Sequence, residues 1–150
     1  MGSDITFRTA TKDDLKAVVA MIADDDIGES RETALPDEYL HAFEAMEAEH
    51  YNKVLIAELD GKIAGSLQLV FVPGLSRGGA KRALIESVRV KSALRGQNVG
   101  TALMKEAIRL AREGGCKLVQ LTSDKRRSRA HLFYRRLGFE QSHIGFKKDL

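Results

Sequence analysis

The chain is poor in the residues that staple, kink or anchor a fold: one cysteine, two prolines and no tryptophan in 150 residues. A single thiol, Cys116, cannot close an internal disulfide and suits a reducing, cytoplasmic setting. No run of about 18 uncharged apolar residues is present, which excludes a spanning helix, and no membrane partner is expected. Met1 to Ala10 has no apolar core of signal-peptide length and carries Asp4 and Arg8, so export through a standard signal is not expected. The four histidines, at 41, 50, 131 and 143, lack metal-ligand spacing, and no metal is expected. No internal repeat, low-complexity stretch or linker divides the chain, so residues 1–150 read as one domain.

What is present is an ordinary folding composition, 43% hydrophobic and 30% charged. The net charge of +3 hides an asymmetry. Residues 1–75 hold 6 basic against 15 acidic side chains, and residues 76–150 hold 18 against 6. A basic half fits a nucleic acid or another polyanion, and an acidic half fits a cation. Solvated faces that happen to segregate would look the same.

Periodicity supplies the elements. Ile5 to Arg8 reads as a strand. Thr11 stands as the cap of a helix with Asp13 and Asp14 in its first turn and an apolar stripe at Leu15, Val18, Val19 and Ile22. After the acidic loop Asp24-Asp25-Asp26, Pro36 opens a second helix carrying Tyr39, Leu40, Phe43 and Met46. Asp60-Gly61 turns a hairpin between Val54–Ala57 and Ile63–Leu67, the latter able to run to Val72. Ser76 to Lys81 reads as a loop, and 83–90 as a strand. Val99, Leu103, Ala107 and Leu110 mark a helix ended by Gly114-Gly115. A strand at Leu118–Leu121 follows, then a helix capped by Ser128, then short strands from Phe139 to Phe146. The order β-α-α-β-β-β-α-β-α-β-β gives an α/β fold with a mixed sheet (α+β in the broader sense) and helices on both faces.

The segment with most chemical content is Arg95-Gly96-Gln97-Asn98-Val99-Gly100-Thr101, between the fourth strand and a helix. Unpaired N–H groups and the positive dipole end at a helix start favour a phosphate, glycines admit it close to the backbone, and Arg95 adds charge. A P-loop requires Lys-Ser/Thr after the second glycine, and a dinucleotide fingerprint requires Gly-x-Gly-x-x-Gly; neither spacing is met.

This segment resembles the acyl-CoA-binding motif of the GNAT superfamily of N-acetyltransferases, commonly Arg-Gly-x-Gly-Ile-Gly. Asn98 stands where glycine is usual, and Asn tolerates positive φ better than most residues. A second segment, Ala130 to Phe139, resembles the family's last helix and following strand, with Tyr134 and Gly138-Phe139 in register; Arg127 replaces a frequent Asn. The element order resembles the family plan over nearly the whole chain.

The resemblance implies a GNAT-like fold and acetyl-CoA as cosubstrate. Val88, Arg89 and Val90 would pair with its pantetheine arm, Arg95, Gly96, Gln97, Asn98, Val99, Gly100 and Thr101 would cradle its pyrophosphate, and Arg127 would lie nearby. The basic half, with Lys125, Arg126 and Arg129, would meet its phosphates rather than a nucleic acid. The acceptor would be a primary amine of a small molecule or peptide, and cationic if the acidic segment Asp24 to Glu32 attracts it. A homodimer is compatible with the family. A non-catalytic acyl-CoA-binding regulatory module on the same fold is the alternative.

An amine must lose a proton to attack a thioester. Strict period-2 parity places Glu86 with Leu84, Val88 and Val90 on one face, where burial would raise its pKa toward that of a useful base. Pairing with a neighbouring Arg or Lys is the competing reading. By resemblance, Tyr134 would protonate the leaving thiolate; otherwise it is a core aromatic beside Phe133. Cys116 reads as packing.

Overall fold

The computed structural model describes residues 4–24 and 36–150. They divide into two compact units, one reaching Gln120 and the other Leu121–Leu150. The first is built on a five-stranded sheet in the order β1-β2-β3-β4-β5, whose last strand crosses the boundary. The strands are β1 (Ile5–Thr9), β2 (Asn52–Leu59), β3 (Lys62–Val72), β4 (Arg82–Val90) and β5 (Leu118–Leu121). The helices are α1 (Leu15–Ala23), α2 (Pro36–Glu47), α3 (Val99–Glu113) and, in the second unit, α4 (Ser128–Arg136).

The predicted hairpin forms as read: Asp60 and Gly61 adopt φ of 53° and 79°, the left-handed pair that a two-residue turn between twisted strands demands. Ser76–Gly79 makes only a tight turn, with Arg77 and Gly78 in left-handed conformation. The acidic residues Asp25, Asp26, Glu29 and Glu32 lie outside the described residues.

Each sheet face has its own helical cover. Val54 and Ile56 of β2 pack with Ala10, Val18 and Met21, so their face meets α1, and Met46 of α2 joins the same cluster. By alternation, Leu55 and Ala57 look the other way, with their register partners Leu67 and Gly65. That second face carries α3. A Cβ on Gly65 would stand 3.3 Å from Val99 Cγ1 and 2.8 Å from the Arg89 carbonyl, so only glycine lets the start of α3 and the end of β4 come this close. At the other end of α3, a Cβ on Gly114 would strike the Phe71 ring at 2.4 Å. The buried stripe of α3 is Val99, Leu103, Met104, Ala107 and Ala111. It is rotated slightly from the predicted one, because Met104 and Ala111 rather than Leu110 point at the sheet. Phe71 stacks on Tyr51 with ring centres 3.7 Å apart, Lys53 lies over the outer face of the pair, and Lys81 approaches Phe71.

The strands expected from Phe139 to Phe146 do not form. Residues 140–150 are exposed, and the segment has only three large apolar side chains beyond Phe139, Ile144, Phe146 and Leu150, all on the surface. Too little apolar area is buried to hold a strand in place. The observed sheet therefore has five strands rather than seven.

Candidate active site

β4 carries the main correction to the sequence reading. Its register against β3 is Gln68↔Glu86 and then Ser66↔Arg89, so Leu67 faces two residues, Ser87 and Val88. Ser87 takes φ 53° to make this bulge. A bulge flips every later side chain to the other face. Glu86 therefore shares its face with Leu84 and Arg89, not with Val88 and Val90. That is the α1 face, opposite α3.

Glu86 is exposed, so the expected burial in an apolar row is absent. The competing reading fails as well: Glu86 has no Lys or Arg partner among the described residues. It is a carboxylate open to a cation from outside the protein. Beside it, Arg89 turns its Nη1 back to the Val88 carbonyl at 2.9 Å.

The end of β4 leads to the anion loop. Lys91 N–H donates to Ala64 O at 2.8 Å, closing the β3–β4 ladder. A single turn at Ser92–Leu94 follows, then Arg95, then Gly96 at φ 84°. Asn98 caps α3 in the left-handed conformation, φ 64° and ψ 13°, the conformation for which Asn is the best substitute for glycine. Val99 is buried and plugs α3 onto the sheet. Ala102 N–H donates to Asn98 O, the first bond of the α-helical ladder, so the N–H groups of Val99, Gly100 and Thr101 precede it. Arg95, Gly96, Gln97 and Asn98 are exposed around that opening. An anion has access, backbone donors and a guanidinium.

β5 accompanies only the start of β4. Its four residues are anchored by Lys117 N–H to Lys81 O at 2.8 Å, ahead of the nine residues of β4. Val88 to Val90 lie beyond that anchor, where the free side of a strand can hydrogen-bond an extended chain.

Tyr134 and Arg127 belong to the second unit. Tyr134 is half-buried between Phe133 and Phe139, with ring centres 5.3 and 6.0 Å away. Arg127 starts α4: its N–H donates to Asp124 O and its carbonyl accepts from His131. The same turn is braced by Asp124, which takes Arg126 side-chain and backbone hydrogen bonds at 2.7 to 2.9 Å, and by His131 Nε2 donating to Asp124 O. Arg126 is thus engaged, and its side-chain and backbone hydrogen bonds hold the Asp124 carboxyl well below its usual range. Burial pushes the Cys116 thiol up, against a smaller opposite pull from Lys81, so it is no activated nucleophile. Among the described residues no three His, Cys, Asp or Glu are grouped to hold a metal ion, and no helix is long and apolar enough to cross a membrane.

A strand feeding a left-handed loop at a helix start is the geometry that an anion site at Arg95 to Thr101 needs. The model of the GNAT acetyltransferase family matches residues 19–139. The chain belongs to the GNAT family. A transcriptional regulator from Bacillus halodurans C-125, known from its crystal structure, is 43% identical, with a TM-score of 0.93 over 98% of this chain and 100% of that one. The glucosamine 6-phosphate N-acetyltransferase of Trypanosoma brucei brucei is 34% identical over 98 residues, 65% of each chain. The aminoalkylphosphonate N-acetyltransferase of Salmonella typhimurium is 39% identical over 66 residues, 44% of this chain and 43% of that one. The matched stretch thus spans less than two thirds of either curated GNAT relative.

Proposed function

We propose that the protein transfers the acetyl group of acetyl-CoA to a primary amine of a small molecule or peptide, directly, within a ternary complex. The observation that carries this is Glu86: an exposed carboxylate with no ion-pair partner among the described residues, next to the bulge in β4, on the strand that runs into the left-handed loop. Acetyl-CoA supplies a thioester. Val99, Gly100 and Thr101 N–H groups, with Arg95, hold its pyrophosphate. The free side of Val88 to Val90 binds the pantetheine arm and offers an N–H to the thioester oxygen.

Glu86 attracts the ammonium and takes its proton, directly or through one water. The amine nitrogen then bonds the acetyl carbon and gives up its second proton to solvent, the carbon–sulfur bond breaks, and the departing thiolate takes a proton, the donor role that the family resemblance gives Tyr134. Direct transfer fits the absence of an activated thiol: the one cysteine lies past the far end of α3 and is held protonated by burial. The names of the two curated relatives point to small phosphorylated or phosphonylated amines as the first acceptors to try.

The test is thiol release from acetyl-CoA with glucosamine 6-phosphate, an aminoalkylphosphonate, spermidine and a short peptide. Turnover with any of them is expected. The Bacillus halodurans relative bears a regulator's name, which favours one second reading, a module that binds acyl-CoA without turnover. Tight CoA binding with no thiol release across the panel would support it instead.

A further inference from the structure

A line of polar side chains crosses the α1 face of the sheet at the level of Glu86. Gln68 of β3 is its direct cross-strand partner. The Gln68 Nε2 turns away from β4 and donates to Asn52 Oδ1 on β2 at 2.8 Å. Asn52 Nδ2 in turn donates to Glu49 Oε2 at 3.2 Å. The carboxylate can only accept, so it orients the Asn52 amide, and Asn52 then orients Gln68. The Gln68 Nε2 is committed to β2, and among the described residues no donor reaches its Oε1.

Opposite residues of an antiparallel pair have Cβ atoms about 5 Å apart, so an oxygen acceptor fixed on Gln68 and the Glu86 carboxylate are within reach of one ligand nitrogen. A primary ammonium has three N–H donors. One can be given to Glu86 and one to an amide oxygen. After the first proton has left, the second contact still holds the nitrogen and sets the direction of its lone pair. A hydroxyl or thiol acceptor has one donor and cannot use both sites.

We propose that Gln68, aimed by Asn52 and Glu49, is the residue that binds and orients the acceptor's primary amine beside Glu86. This rests on the acetyl-transfer reading and adds the amine's second hydrogen-bond partner and the three-residue relay that fixes it.

The test uses steady-state kinetics with whichever amine of the panel turns over fastest, and calorimetry with CoA. Gln68→Met keeps length and removes the acceptor oxygen. It should raise KM for the amine about tenfold, as expected for one lost hydrogen bond to a charged group, with CoA affinity unchanged. Asn52→Leu, which frees the amide to turn, should move KM the same way by a smaller factor. An unchanged amine KM in folded Gln68→Met, with the wild type active, overturns this proposal alone. A wild type that releases no thiol with any amine overturns the acetyl-transfer reading beneath it.

Discussion

Arg8 grips Asp14 with both terminal guanidinium nitrogens, Nη1 to Oδ2 at 2.8 Å and Nη2 to Oδ1 at 2.9 Å. Asp14 is only 8% exposed and also accepts the Thr11 N–H at 2.8 Å, while Arg8 Nε reaches Glu58 at 3.1 Å. The Arg8 guanidinium of β1 thus ties the start of α1, through Asp14, to β2, through Glu58. The Arg8 hydrogen bonds pull its pKa from 3.8 down to about 2. An acid depressed in the folded state stabilises it above the unfolded pKa, and that contribution is lost as pH falls from about 4 through 2. With Arg8 more than a third exposed, the contribution is on the order of 1 kcal/mol after solvent screening. Asp14→Asn should therefore lower stability in urea at pH 7, and the gap from wild type should close toward pH 2. A pH-independent gap would contradict it.

Asn98 fixes the loop through its backbone. Asn98→Gly should leave CoA affinity intact. Asn98→Val, which crowds Cβ against the carbonyl in this conformation, should cost about 1–2 kcal/mol and weaken CoA. Gly100→Asp adds bulk and like charge at the α3 start and should abolish binding, whereas Arg95→Ala should only weaken it. Calorimetry with CoA reads all four.

Glu86→Gln should keep the fold and lose about 10²-fold in kcat, with the loss shrinking as pH rises and more acceptor is neutral. Full activity in the folded variant would leave a water chain or a backbone carbonyl as base. Tyr134→Phe should lower kcat with little change in CoA affinity. A small effect would make Tyr134 a positioning residue, since CoA thiolate leaves readily.

Gly65→Ala tests the contact between sheet and helix. Its Cβ would meet the Arg89 carbonyl at 2.8 Å and Val99 at 3.3 Å, and backbone cannot rotate away. A loss of about 1–3 kcal/mol in thermal stability and a weaker CoA complex are expected. Gly61→Ala is the control, since no atom lies within 4 Å of its Cβ; only the φ of 79° opposes it.

Most of the fold was legible because its signals are local: Asp60-Gly61 for the hairpin, Thr11 for the first cap, the apolar spacing of α3. The site was legible where a motif repeats a backbone need, as at Arg95 to Thr101. What parity could not reveal was the bulge at Ser87, a serine in a conformation usually given to Gly or Asn, with no composition cue. Strict alternation then assigned Glu86 to the wrong neighbours. The Gln68–Asn52–Glu49 relay was missed for another reason: its members are ordinary polar residues that only strand pairing brings together. The Arg8–Asp14 pair was read as a helix-dipole acid because its partner lies on the preceding strand.

The stacked Tyr51 and Phe71 rings have a practical use in a chain without tryptophan. Burial, reinforced by nearby acids, pushes the Tyr51 phenol above its ordinary range. Its tyrosinate absorbance should therefore emerge late in an alkaline titration. Phe71 is lodged in the space that Gly114 leaves at the end of α3. Tyr51 thus serves as a built-in optical probe of that end of the sheet, remote from the loop at Arg95 to Thr101, able to separate melting of the scaffold from release of a ligand bound there.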